Sequence, residues 1–296
     1  MQRFQLTIPP FVFQIETDIP VVIDNARRIY KSAFIEDINN DNYVDYFLSA
    51  TYSNGVRRFF RPQARFLCDD REPFKPLHAN QAFAMLEWGM NWTVAAHELD
   101  YAIVHSAVLA KEGKAILFPA PPGSGKSTLT SHLSQNGWRL LSDEMALIDP
   151  TTMRVRPFVR PICLKNRSID LAKKWFPEAC FSTVAANTHK GDVIHMAAPD
   201  DAVAACNESA EIVGVVYPNY RADTTLDIYK LSMTESFMQL VSNSFNFTVV
   251  GNESFDTITK VIEKAQHFEI FYNDLHEVNS FLLDEIISSS KDEHEH

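Results

Sequence analysis

The sequence predicts an α/β protein built on a mixed sheet, and three observations carry that expectation. Short apolar runs of strand length, Lys114–Phe118, Arg139–Ser142 and Ile212–Tyr217, alternate with stretches of helical spacing. A glycine-rich stretch, Ala120–Ser127, sits between one of those runs and a helix-like segment. The chain has 296 residues, 46% of them hydrophobic. That is enough for one large α/β domain or for a main domain with a smaller companion.

Residues 1–99 read as a small α+β domain and residues 100–296 as a larger domain with a helical C-terminal part. In the first, Asp24–Phe34 places Ala26, Ile29 and Ala33 on one helical side. Tyr46–Tyr52 and Val56–Phe60 flank Ser53-Asn54-Gly55, and Asn-Gly is a strong hairpin signal. Phe66–Cys68 and Phe74–Leu77 suggest a second hairpin about Asp69-Asp70, and Gln81–Ala96 reads as an amphipathic helix with Phe83, Leu86 and Trp88. The rhythm changes at Tyr101. Tyr101–Ala110 is a mostly apolar strand interrupted by His105 and Ser106, and Glu112-Gly113 turns it into Lys114–Phe118. Ser127–Gln135 follows as a helix closed by Asn136-Gly137, then Arg139–Ser142 as a strand. Met145–Ile148 and Met153–Val155 form a hairpin about Asp149-Pro150, and Ile212–Tyr217 is a buried strand ending at Pro218. From Thr234 onward the spacing is helical, in Glu235–Asn243, Ser254–Gln266 and Leu275–Ile287, before a polar tail at Ser288–His296.

Composition narrows the partners. A net charge of -11 at pH 7 argues against nucleic acid and anionic membrane. Cys68, Cys163, Cys180 and Cys206 show no C-x-x-C spacing, which argues against a zinc site and fits a reducing compartment. The first residues lack the apolar run of a signal peptide, and nowhere do about 18 apolar residues follow one another. A cytoplasmic protein is expected.

The strongest chemical signal is Ala120-Pro121-Pro122-Gly123-Ser124-Gly125-Lys126-Ser127, followed by Thr128. It matches the P-loop pattern in the strand–loop–helix context that pattern requires, with alanine at position 120 where glycine is usual. Gly123 and Gly125 let backbone N–H groups curl around phosphate oxygens, and the helix N-terminus adds its positive dipole. Lys126 supplies a charge to the β and γ phosphates of a nucleoside triphosphate, and the Ser127 hydroxyl joins a Mg²⁺ shell. Asp143 and Glu144 end an apolar strand. Such a pair either holds Mg²⁺ and accepts a proton from a hydroxyl, or is a solvated strand end; its place one helix and one strand beyond the loop favours the first. His105 is either a hydrogen-bonded core residue or a neighbour of the loop. Arg154, Arg156, Arg160, Lys165 and Arg167 fall in a stretch without acids, and read either as an anion clamp or as a charge-balanced strand face. Thr188-His189-Lys190-Gly191 and His195 form a polar loop. Arg57, Arg58, Arg61 and Arg65, interleaved with phenylalanines, read as a hairpin with an apolar inner face rather than a nucleic-acid surface.

His105 within Val-His-Ser-Ala-Val-Leu, Pro122–Ser127 and Leu141-Ser142-Asp143-Glu144 recur in that order and close together. This pattern resembles the HPr kinase/phosphorylase superfamily, and within it the group called HprK-related kinase A. Weaker matches at Arg58–Gln63, Glu87–Trp92, Arg160–Asn166, Lys190-Gly191 and Ser244–Phe247 spread the resemblance over most of the chain. It implies a P-loop core with a mixed sheet like the HPr kinase C-terminal domain, and an ATP- and Mg²⁺-dependent kinase acting on a hydroxyl, typically serine. It further implies Asp143 as base, Glu144 on the metal side, His105 beside the phosphates, Arg160 as the first-ranked catalytic arginine, and a homo-oligomer. HPr kinases usually carry aspartate where this chain has Glu144. The phosphoacceptor, whether a protein, a peptide or a small molecule, is not named by these residues. A nucleotide-binding switch or scaffold without transfer activity is the alternative from another class.

Overall fold

Strict alternation builds the first sheet. In Phe11–Thr17, Phe11, Phe13, Ile15 and Thr17 are buried while Val12, Gln14 and Glu16 are not, which fixes one face on the core. The computed structural model describes residues 1–36, 43–55 and 60–289. Its contacts divide the chain into two units, one of Met1–His97 with Arg160–Ala198, the other of Glu98–Val159 with Pro199–His296.

The first unit holds a six-stranded sheet in the order Phe34–Ile35, Gln2–Ile8, Phe11–Thr17, Tyr46–Tyr52, Gln63–Cys68, Leu77–His78. Phe11–Thr17 and Tyr46–Tyr52 are parallel, and the other pairs are antiparallel. Helices Pro20–Tyr30 and Ala82–His97 belong to the same unit. The expected hairpin partner of Tyr46–Tyr52 is displaced: the strand pairs with Gln63–Cys68, with Tyr52 opposite Ala64. Gln63–Cys68 buries Ala64, Phe66 and Cys68 on one face, which gives it the apolar side that pairing needs. Residues 56–59 of the expected strand, with Arg57 and Arg58, lie outside the described residues, as does 290–296 of the polar tail. The turn at Asp69-Asp70 forms as expected, with Cys68 and Arg71 exchanging backbone hydrogen bonds.

The expectation of one continuous domain over residues 100–296 needs correction. Arg160–Ala198 adds to the first unit a three-stranded antiparallel sheet, ordered Ile162–Lys165, Gly191–Met196, Ala185–Thr188, and helix Arg167–Trp175. Hydrogen bonds hold it there. Gln81 donates to the Ala186 carbonyl, and Asn25 exchanges bonds with Thr183. Arg160 is buried against the buried Glu87 carboxylate at 2.5 Å, and Glu87 also accepts from Tyr30 at 2.8 Å. Burial alone would lower the Arg160 pKa, but Glu87 and Tyr30 outweigh it and push it up, so the guanidinium stays charged. The basic stretch is thus divided, with Arg154 and Arg156 in the second unit and Arg160, Lys165 and Arg167 in the first.

The second unit carries a nine-stranded sheet. Its path runs Arg139–Ser142, Ser106–Lys111, Lys114–Pro119, Ala210–Tyr220, Arg154–Arg156, Ala146–Ile148, Ala102–Val104. Gln266–Tyr272 also pairs with Ala210–Tyr220, and Asp227–Lys230 pairs with Gln266–Tyr272. Val108, Leu117, Leu141, Val215 and Ile258 join one core cluster. Two expectations change here. The strand expected over Tyr101–Ala110 is two strands, because the His105 amide bonds the Asn243 carbonyl at 2.7 Å instead of continuing a ladder. The helical end is interrupted by strand Gln266–Tyr272, where Phe268, Ile270 and Tyr272 are buried on one face. Helices Met233–Ser242 and Asn252–Lys264 precede it; Leu275–Phe281 and a π-helical Leu282–Ile287 follow. Among the described residues no helix is long and apolar enough to cross a membrane, and the cysteines form no disulfide.

Removing one partner of the buried ion pair, as in Arg160→Ala, leaves Glu87 uncompensated and is expected to cost about 3–5 kcal/mol of unfolding free energy, read by denaturant titration. A second expectation concerns pH. Burial, and next the neighbouring His276, hold the His132 pKa below its ordinary value, and burial does the same to His267. Their neutral forms belong to the folded state. The stability they contribute is therefore complete above about pH 6.5, the ordinary histidine value, and is lost as pH falls through their lower folded values. Unfolding midpoints at pH 7.5 and 5.5 test this, and His132→Gln should flatten the difference.

Candidate functional site

The site grows from strand direction. Lys114–Pro119 and Arg139–Ser142 are each antiparallel to Ser106–Lys111, which lies between them, so they run the same way. Both therefore end at the edge where Ser106–Lys111 begins, just after His105. Ala210–Tyr220 is parallel to Lys114–Pro119 on its other side, and Gln266–Tyr272 is parallel to Ala210–Tyr220. Ala120–Ser127, Asp143, His105, Tyr220 and Tyr272 thus meet at one edge from distant parts of the chain.

The loop leaves its strand at buried Ala120 and exposes Pro121 and Pro122. Gly123 and Gly125 take φ values of 90° and 88°, in the region that L side chains avoid. Gly125 is the N-cap of helix Lys126–Gln135, and no side chain caps that helix start. The first-turn N–H groups of Lys126, Ser127 and Thr128 thereby form a positive end suited to an anion. The Ser124 carbonyl accepts from the Tyr220 amide at 2.9 Å, and the Gly125 carbonyl from the Tyr272 hydroxyl at 3.4 Å. Burial holds the Tyr272 phenol above its ordinary pKa, with Tyr220 adding to the effect, so the phenol keeps its proton and remains a donor.

Lys126 is buried, and its Nζ lies 3.4 Å from Nε2 of His105, close enough for the ammonium to donate to a neutral imidazole. Phe245 packs on His105 with ring centroids 5.5 Å apart. Ser127 Oγ donates to Oδ2 of Asp143 at 3.3 Å, and Asp143 is 2% exposed. Glu144 is half-buried, and its carbonyl accepts from the Ser106 amide at 3.2 Å. An ammonium, a hydroxyl and a carboxylate therefore stand beside a helix N-terminus, a set that neutralises an anion and accepts a proton. Among the described residues no group of three or more His, Cys, Asp or Glu side chains is arranged to hold a metal ion.

The residues expected to act together do so in part. Ala120–Thr128, His105, Asp143 and Glu144 belong to the second unit and converge. Arg160 belongs to the first, where it donates to Glu87 and Asn91. There it is part of the buried network with Glu87 and Tyr30. The Thr188–Gly191 stretch is also in the first unit, as a tight hairpin whose His189 packs edge-on against Trp88 and whose Lys190 ammonium lies 4.9 Å from the Trp88 ring centre. His195 is buried against Phe83. Arg65 forms a two-pronged pair with Glu72 at 2.8 and 2.6 Å, a surface hairpin contact. Tyr220, Tyr272 and Asn243 are the neighbours that sequence reasoning passed over, whereas Phe245 lies in the Ser244–Phe247 match. The alternation of Phe268, Ile270 and Tyr272 was the signal for the strand that ends at Tyr272. No protein-family model matches this chain, and no curated protein matches it.

The two loop glycines separate backbone freedom from close approach. A Cβ on Gly123 meets nothing within 4 Å, whereas one on Gly125 stands 2.8 Å from the Tyr272 hydroxyl and 2.9 Å from Tyr220 Cβ. Gly123→Ala should cost about 1 kcal/mol through its φ alone. Gly125→Ala should cost about 2–3 kcal/mol or more, because it also pushes on two strand ends. Paired denaturant titrations give the comparison.

Proposed function

We propose that this chain is an ATP- and Mg²⁺-dependent phosphotransferase whose acceptor is a hydroxyl, a serine in a protein or peptide. The observation that carries this reading is the Ser127–Asp143 contact at 3.3 Å, made beside Lys126 and a loop with two left-handed glycines. The resemblance to HprK-related kinases points the same way.

The residues present fit such a ligand. Mg²⁺ in phosphoryl-transfer sites takes one or two protein oxygens and completes its shell with phosphates and water. The Ser127 hydroxyl and the Glu144 carboxylate would be the hard oxygens of that kind, which leaves Asp143, 3.3 Å from Ser127, to the acceptor. Bound Mg²⁺·ATP would supply an electrophilic γ-phosphorus. The chain's own residues then divide the work. Backbone N–H groups of Gly123–Thr128 hold the phosphate oxygens, and Lys126 neutralises the charge gathering on them. His105 fixes the direction of the Lys126 ammonium by accepting from it. Asp143 orients the acceptor hydroxyl and takes its proton as the new O–P bond forms and the bond to the ADP oxygen breaks.

Lys126→Ala is expected to weaken ATP binding at least about tenfold. Asp143→Asn should bind ATP within a few-fold of the parent while losing about 10²–10⁴ in transfer of labelled γ-phosphate. The assay uses a lysate of the source cells as the pool of acceptors. Undiminished transfer by Asp143→Asn removes the acid from its assigned role. Normal ATP binding with no labelled product moves the reading to a nucleotide-dependent switch, and label on a small metabolite moves it to a small-molecule kinase.

A further inference from the structure

We propose that Tyr220 is the surface on which the nucleobase stacks. This rests on the nucleotide reading of the loop and adds to it where the nucleoside end lies. The sheet order supplies the direction. At the loop's edge the strands follow one another as Arg139–Ser142, Ser106–Lys111, Lys114–Pro119, Ala210–Tyr220, Gln266–Tyr272. Asp143 follows the first of these, so the reacting phosphate of a bound triphosphate points toward that side. The base is at the opposite end of the same molecule and must fall on the other side of the loop, over the ends of Ala210–Tyr220 and Gln266–Tyr272.

The side chain found there suits a π-face. Tyr220 is 43% exposed, although its Cβ lies directly against the Gly125 position and its amide is bonded to Ser124. The buried Tyr272 ring meets it edge-on, with centroids 5.9 Å apart, and the Arg221 amide bonds the Tyr272 carbonyl at 2.9 Å. Arg221 is itself stacked on Phe271 at 3.8 Å. An exposed aromatic ring held on both sides of its backbone is already ordered, so a flat ligand stacks on it at small entropic cost. Stacking reads no hydrogen-bond pattern, and adenine and guanine nucleotides are therefore expected to bind with similar affinity.

The test compares ATP with inorganic tripolyphosphate, which shares the phosphates and lacks the base. Binding is measured by calorimetry on the full chain and on Tyr220→Ala, Tyr220→Phe and Lys126→Ala. Tyr220→Ala should weaken ATP and GTP about tenfold or more and leave tripolyphosphate unchanged, which also reports that the loop is intact. Tyr220→Phe should bind ATP like the parent. If Tyr220→Ala binds ATP as the parent does, or loses ATP and tripolyphosphate equally, the stacking proposal falls while the nucleotide reading stands. If Lys126→Ala changes neither ligand, or the parent binds neither, the nucleotide reading falls and takes this proposal with it.

Discussion

Four strands of the second unit finish in the same direction, and the candidate site exists because they do. Lys114–Pro119, Ala210–Tyr220 and Gln266–Tyr272 are successive parallel neighbours, while Arg139–Ser142 shares their direction through two antiparallel steps. A loop rich in left-handed glycine has little stiffness of its own. Here its Ser124 and Gly125 carbonyls are tied to the ends of two of those strands. Its conformation is consequently as stable as the sheet behind it. Burial of Val108, Leu117, Leu141 and Val215 fixes the strands, the strands fix the loop, and the loop fixes Lys126 and Ser127. Rigid elements hold reactive groups more exactly than free loops do, and this chain of dependence is how the second unit obtains that rigidity.

The first unit shows what a buried arginine does when its partners are already present. Arg160 lost its water on folding and recovers hydrogen bonds from the Glu87 carboxylate, the Glu87 carbonyl and Asn91. The Tyr30 hydroxyl donates hydrogen bonds to the same carboxylate. Such a network joins helices Pro20–Tyr30 and Ala82–His97 to the return segment that begins at Arg160. Breaking one member leaves a bare charge, so the network specifies which segments belong together. Apolar packing joins the same pieces, since Ala84 and Trp88 meet Cys163, Ala185 and Val193 of the Arg160–Ala198 segment.

Legibility in the sequence followed the range of the interactions involved. The Ala120–Ser127 loop, the helix after it and its Asn136-Gly137 end are local events, written in glycine φ requirements and short spacing, and all were readable. The hairpin about Asp149-Pro150 was readable for the same reason. Asp143 was found because it lies only one strand beyond the helix. The pairing of Arg160 with Glu87 was not legible, because it spans 73 positions and no periodicity encodes it. Tyr220 and Tyr272 were missed for a related reason: their bonds to the loop follow from parallel pairing of strands far apart in the chain. The alternation in Gln266–Tyr272 was local, but the helical pattern of Asn252–Lys264 running up to it masked it. The split of the Tyr101–Ala110 run was equally non-local, since it depends on an amide of His105 finding Asn243.

The order of strands also divides the candidate site into two chemically different sides. On one side of the loop stand Asp143 and His105, titratable groups in reach of Ser127 and Lys126. On the other stand Tyr220 and Tyr272, groups that offer ring surface and a hydroxyl to the backbone. The loop touches both kinds, through Ser127 to Asp143 and through Ser124 and Gly125 to the tyrosines. A ligand lying along it would therefore meet chemistry at one end and recognition at the other. Because the two sides hang on different strands, change on one need not disturb the other. On the nucleotide reading proposed above, affinity for the nucleoside end and the rate at the phosphate end would be separately adjustable within one sheet, provided the shared loop keeps its shape.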